Sequence, residues 1–111
     1  MSAQPSDTPV LDLLTGMTAQ SLEASTLDPK DLALVRLAAL VAVDAPPASY
    51  FANLSADAEL GIDADQVRGV LTAVAPIVGT TRVVSATGKI IRALGVAIEA
   101  LDAAAEESAG A

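Results

Sequence analysis

Few kinds of side chain in this 111-residue sequence could do chemistry. There are fourteen carboxylates and six Lys or Arg, but no histidine and no cysteine. The usual general base near neutral pH, which is also the commonest metal ligand, is therefore missing. Thiol nucleophiles, disulfides, Cys-x-x-Cys redox chemistry and thiolate metal sites go with the cysteines. No G-x-S-x-G turn is present, and Gly79-Thr80-Thr81 lacks the spacing and the lysine of a phosphate loop. No metal and no cofactor is expected. Asp57 and Glu59, like Asp63 and Asp65, stand two apart, face different directions and are expected to solvate the surface.

Five residues stand out as a candidate polar pocket: Arg36, Ser49, Tyr50, Asn53 and Arg82. Arg36 is isolated in an apolar stretch. It is either a snorkelling or ion-paired arginine, with Asp44 eight residues on as a local partner, or an anion-binding group. Ser49 and Asn53 are four apart and share a helix face beside Tyr50. They read either as ordinary packing, with the Tyr50 hydroxyl at the rim, or as a pocket lining. Arg82 falls in the first turn of a helix, where a cation opposes the macrodipole, so a carboxylate or an anionic ligand beside it is suspected. Lys89 reads as surface.

These groups need elements to hold them, and composition says which. The chain is 52% hydrophobic, but Tyr50 and Phe51 are its only aromatic residues. Ala, Leu and Val in such numbers suit closely packed helices, and 11.1 kDa is one domain. The net charge of −8 argues against nucleic acid as a partner. The N-terminus lacks a basic start and an apolar run, and the longest charge-free apolar runs fall short of the ~20 residues that cross a bilayer. A cytoplasmic protein without a membrane partner is expected.

The pattern predicts an all-α domain over residues 9–105 between flexible tails at 1–8 and 106–111. Val10 to Leu14 and the segment after Thr18 read as two short helices of an N-terminal arm. Asp28 caps a helix whose first position is Pro29 and which runs to about Val43. That helix is apolar on all sides except Arg36, so it is expected to be central or half covered by another subunit. Pro46 and Pro47 open a third helix ending at Leu60, with Gly61 just beyond its end. Asp63 and Gln66 resemble a capping box. The fourth helix presents Val67, Val70, Leu71, Val74 and Ile77 or Val78 on one face, and Pro76 kinks or stops it. A last helix from Thr80 or Thr81 to about Ala105 carries a seam of Val84, Thr87, Ile91, Leu94, Ile98 and Leu101. Gly88 and Gly95 flank that seam and predict close approach of a neighbouring helix.

The run Asp28-Pro-Lys-Asp-Leu-Ala-Leu-Val-Arg-Leu-Ala-Ala-Leu-Val-Ala, a break, a short helix ending in Gly61, the capped helix Asp63 to Val78, Gly79 and a long final helix together resemble the carboxymuconolactone decarboxylase family, within the alkylhydroperoxidase D-like superfamily. The resemblance covers about Leu27 to Leu94. It implies a small helical subunit that assembles as a homotrimer or homohexamer with pockets near subunit contacts. The peroxidase branch has Cys-x-x-Cys-x-x-x-His. Those positions fall here on Pro46 (or Ala45), Ser49 and Asn53, and the expected glutamate falls near Ala33 or Leu34. Thiol peroxidase activity is therefore excluded. The decarboxylase branch acts on a carboxylated lactone. It implies a protein with a degenerate peroxidase site that binds, decarboxylates or isomerises a small anionic organic molecule, with Arg36 and Arg82 as the cations. The alternative is a non-catalytic assembly protein that kept the fold and lost the reaction.

Overall fold

The computed structural model describes the backbone of residues 7–110 and the side chains of residues 7–95. Its described residues form five helices, α1 (Pro9–Ala24), α2 (Pro29–Ala42), α3 (Pro47–Glu59), α4 (Ala64–Val78) and α5 (Thr80–Gly110), with no strand among them. The all-α expectation holds. Residues 9–24, expected as two short helices, form one: Gly16 lies inside it, and Thr15 and Thr18 return their hydroxyls to the carbonyls of Leu11 and Leu14. α5 runs to Gly110, past its expected end at Ala105.

Prolines start α1, α2 and α3 at a position that needs no N–H donor. Two short corners then fix the order of α2, α3 and α4. At the end of α2, the Ala45 amide bonds to Leu40 O at 3.0 Å and the Asp44 amide to Val41 O at 3.2 Å. This is the paired closure that normally uses glycine in the left-handed region, yet Asp44 holds it, with φ of 54°. The end of α3 repeats the motif with the usual residue. Gly61 has φ of 79°, its amide bonds to Ala58 O at 3.1 Å, and the Ile62 amide bonds to Asp57 O at 3.0 Å. Asp63 then opens α4 with a complete capping box. Its carboxylate accepts from the Gln66 amide at 2.9 Å, and the Gln66 side chain accepts from the Asp63 amide at 3.0 Å.

The core lies among α2, α3 and α5, with α4 closing one side. Leu37, Val41, Ala45, Tyr50, Leu54, Ala86, Ile90 and Ala93 are buried together, and Val67, Val70, Leu71, Val74 and Val78 pack against them. The inward face of α4 is the expected one, with Val78 rather than Ile77 turned in; Ile77 is 86% exposed. Pro76 neither stops α4 nor separates it from Val78.

The single chain leaves two of the expected apolar faces uncovered, so α2 is not the central helix of the two alternatives and the α5 seam is not part of the core. α2 buries only Ala33, Leu37 and Val41 and leaves Val35 and Val43 exposed, so the chain covers one side of it. The face α5 turns inward is Ala86, Ile90 and Ala93, while the seam residues Val84, Thr87, Ile91 and Leu94 are exposed. Among the described residues nothing lies within 4 Å of a side chain built at Gly88 or Gly95, so none of the described packing approaches them. The seam positions Ile98 and Leu101 lie outside the described side chains.

Candidate functional site

α3 presents one polar stripe among its core contacts. Tyr50, Leu54 and Asp57 are its buried residues, and with Asn53 they recur every three or four positions on a single face. Asp57 is 2% exposed. Asn53 is half-buried one turn before it and donates Nδ2–H to Asp57 Oδ2 at 3.0 Å. The other carboxyl oxygen, Oδ1, has no protein partner, and the same is true of the Tyr50 hydroxyl. Burial pushes the Asp57 carboxyl above the ordinary carboxylate range, against the Asn53 hydrogen bond, which pulls it down. Tyr50 is also raised, by burial first and by the charge of Asp44 second.

Asp57 lines a cavity of about 360 Å3 between α3, α4 and α5, a size suited to a small organic ligand. The rest of its wall is mainly apolar: Leu54, Ile62, Val67, Leu71, Ile90 and Leu94. Arg68 reaches the wall as well, but its guanidinium is exposed and paired with Asp65. The corner that builds the cavity's end is the one over-determined by the Gly61 closure and the Asp63 capping box. The backbone carbonyl of Asp57, a residue of the wall, is held by the Leu60 and Ile62 amides. The site is thus anchored through main-chain bonds independent of its carboxyl.

Asp57 is therefore not the solvated surface acid expected from its spacing with Glu59. It was legible as the next step of the 50, 53, 54 stripe, a face argument that a two-residue spacing argument conceals.

The cavity wall contains none of Arg36, Ser49, Tyr50, Asn53 and Arg82. Tyr50 and Asn53 stand behind or beside it on the α3 stripe, and Ser49 is half-buried one turn earlier. Tyr50 is fully buried rather than placing its hydroxyl at a rim. Arg36 is half-buried on α2. Arg82 donates to the backbone carbonyl of Ala42, where the negative end of the α2 dipole receives it.

The expected partnership of Arg36 with Asp44 is replaced by another. Asp44 Oδ1 accepts from Lys89 Nζ at 2.8 Å and from Ser85 Oγ at 2.8 Å. Lys89, expected at the surface, is the cation of this ion pair. These hydrogen bonds, Lys89 first and Ser85 second, hold Asp44 below the ordinary carboxylate range. Arg82, Ser85 and Lys89 thus make one face of α5 a clamp on the end of α2. Among the described residues no group of three acidic side chains is arranged to hold a metal ion.

No family model matches the chain, and no curated protein and no solved structure matches it either.

Proposed function

We propose that this protein binds a small, largely apolar organic molecule in the cavity between α3, α4 and α5, with Asp57 as its polar anchor. The observation that carries this reading is Asp57, a residue of the cavity wall whose buried Oδ1 has no protein partner; the wall's other polar residues are Asp63, which caps α4, Thr87 and the exposed Arg68, and the rest is apolar. A buried acceptor left without a donor costs ~1–3 kcal/mol, and a ligand that brings a donor recovers it. The ligand class follows from the sign of the group. An anion would meet a carboxyl, while Arg36 and Arg82 lie outside the wall. The molecule is therefore better read as one bearing a protonated amine than as the anion expected from the resemblance to the carboxymuconolactone decarboxylase family. A chain of net charge −8 also concentrates cations near its surface.

Benzylamine and toluene, titrated separately against the protein by ligand-observed NMR, test this. Benzylamine binding more tightly than toluene, with the difference lost in Asp57→Asn, is the expected result. Equal binding of the two would remove Asp57 as the anchor. Failure of both, with no response to filling the cavity by Leu71→Phe, would remove the site.

A second reading, a non-catalytic subunit that assembles with copies of itself, is supported by a separate observation. α1 has no buried residue, and its Val10, Leu11, Leu13, Leu14, Met17 and Leu22 are all between 49% and 69% exposed.

A further inference from the structure

We infer that α1 is an exchange arm: in the assembled protein it lies on the exposed seam of α5 of a second copy, along Val84, Gly88, Ile91 and Gly95. The inference does not depend on the ligand proposed for the Asp57 cavity.

The arm needs a cover. At sixteen residues α1 is barely longer than the ~12–15 below which an isolated helix is marginal in water, and the interior Gly16 weakens it further. Its residues Val10, Leu13, Leu14 and Met17 fall within one third of the helix circumference, with Asp12 and Glu23 on the opposite side. The face is continuous and apolar, and its own chain leaves all of it exposed.

The acceptor needs a cover of the same shape. Val84 is 65% exposed and Ile91 is 64% exposed. They alternate along one line of α5 with Gly88 and Gly95, beside which space is open to at least 4 Å. The result is a shallow track with two large side chains and two gaps, about three helical turns long, into which the leucines and methionine of a helix can set. Ile91 and Leu94 join the track to the cavity wall.

Charge chooses between the ways these two faces could pair. From Pro9 to Ala24 the arm carries Asp12 and Glu23 and no cation, both off its apolar face; from Thr80 to Gly95, α5 carries three cations and no acid, of which Arg82 and Lys89 are engaged with the end of α2 and Arg92 flanks the seam. Seam against seam sets like charges together, and so does arm against arm. Arm on seam sets segments of opposite net charge side by side, a long-range bias on pairing rather than a set of contacts.

Area is sufficient. Burying a large aliphatic side chain removes roughly 60–120 Å2 of apolar surface, from its transfer free energy at about 25 cal/mol per Å2. Four such side chains per arm, matched by the surface they cover and repeated by two-fold reciprocity, come to roughly 1,000–2,000 Å2, the size of a stable dimer interface.

The absence of natural cysteine makes the test direct. Leu14→Cys and Ile91→Cys, both at exposed positions, are prepared as separate proteins and mixed under mild oxidation, and the unmodified chain is sedimented at tens of micromolar. The expected results are a mass of at least two chains, and a disulfide between Leu14→Cys and Ile91→Cys that outweighs either self-linked pair. The double variant should link chain to chain. A mass of one chain overturns the inference. So does dominant linkage of Ile91→Cys to itself, which would mean seam on seam, or of Leu14→Cys to itself. A double variant that closes within a single chain also overturns it, since the arm would then fold back on its own subunit.

Discussion

Tyr50 and Asp57 are both buried, and each has a polar atom without a protein partner, but they differ in what surrounds them. Tyr50 sits in the solid core beside Leu37 and Val41, whereas Asp57 borders open space. The Tyr50 hydroxyl is thus a cost with no compensating contact, and Tyr50→Phe should raise stability by about 1 kcal/mol in urea unfolding. A loss of that size would instead reveal a bond to the hydroxyl. For Asp57 the folded state binds its proton more tightly than the unfolded chain does. Its contribution is therefore present in full below the ordinary carboxylate range, about pH 4, and is lost as pH rises through the raised folded value. Asp57→Asn should flatten that acid-side slope and melt higher than the parent at pH 7. An unaltered slope would show that burial does not raise the Asp57 carboxyl. Of these two residues the sequence disclosed the burial of Tyr50 and hid that of Asp57. A carboxylate is normally a surface group, and only its place on the Tyr50–Leu54 face contradicts that prior.

At the scale of elements, what was readable were the local signals that act through their own backbone. Pro29, Pro47, Gly61 and the Asp63–Gln66 box set boundaries to within a residue. Tertiary pairings were not readable. Asp44 takes a left-handed conformation that costs ~1–2 kcal/mol for a residue with a side chain, and the Ser85 and Lys89 bonds that hold it come from forty residues away. The seam of α5 was seen as apolar, but periodicity alone could not say whether it packs within the chain. The structure puts Ala86, Ile90 and Ala93 inward instead, and the two alanines let α3 and α5 come close on either side of the one large side chain. The α3–α4 corner positions the cavity, and two substitutions probe it independently. Asp63→Ala removes the cap and should cost about 1 kcal/mol. Gly61→Ala puts a side chain at φ of 79° and should cost at least as much. Both should weaken benzylamine binding if the corner sets the cavity's end. Stability losses without any change in binding would separate the corner from the site.

The whole molecule is larger than its chain length requires. Its radius of gyration is 16.5 Å, against about 13 Å for a compact domain of this size. The excess comes from α1, which buries nothing, and from the length of α5, about 46 Å at 1.5 Å per residue. No helix among the described residues is long and apolar enough to cross a membrane, so these exposed faces are not explained by a spanning segment. If α1 and the α5 seam cover each other between copies, folding and association are one equilibrium, and stability then depends on concentration. For a dimer that unfolds to two chains, each tenfold increase in protein adds about 1.4 kcal/mol per dimer. Tm should therefore climb by a few degrees between 5 and 500 micromolar, taking ~5 and ~500 as a range that brackets typical micromolar association. Leu14→Asp, which puts a charge in the arm's apolar face, should abolish the climb and bring Tm down to the dilute parent's value. A Tm that ignores concentration in the parent would mean that the four-helix body of α2 to α5 is stable alone, with the arm contributing nothing to it.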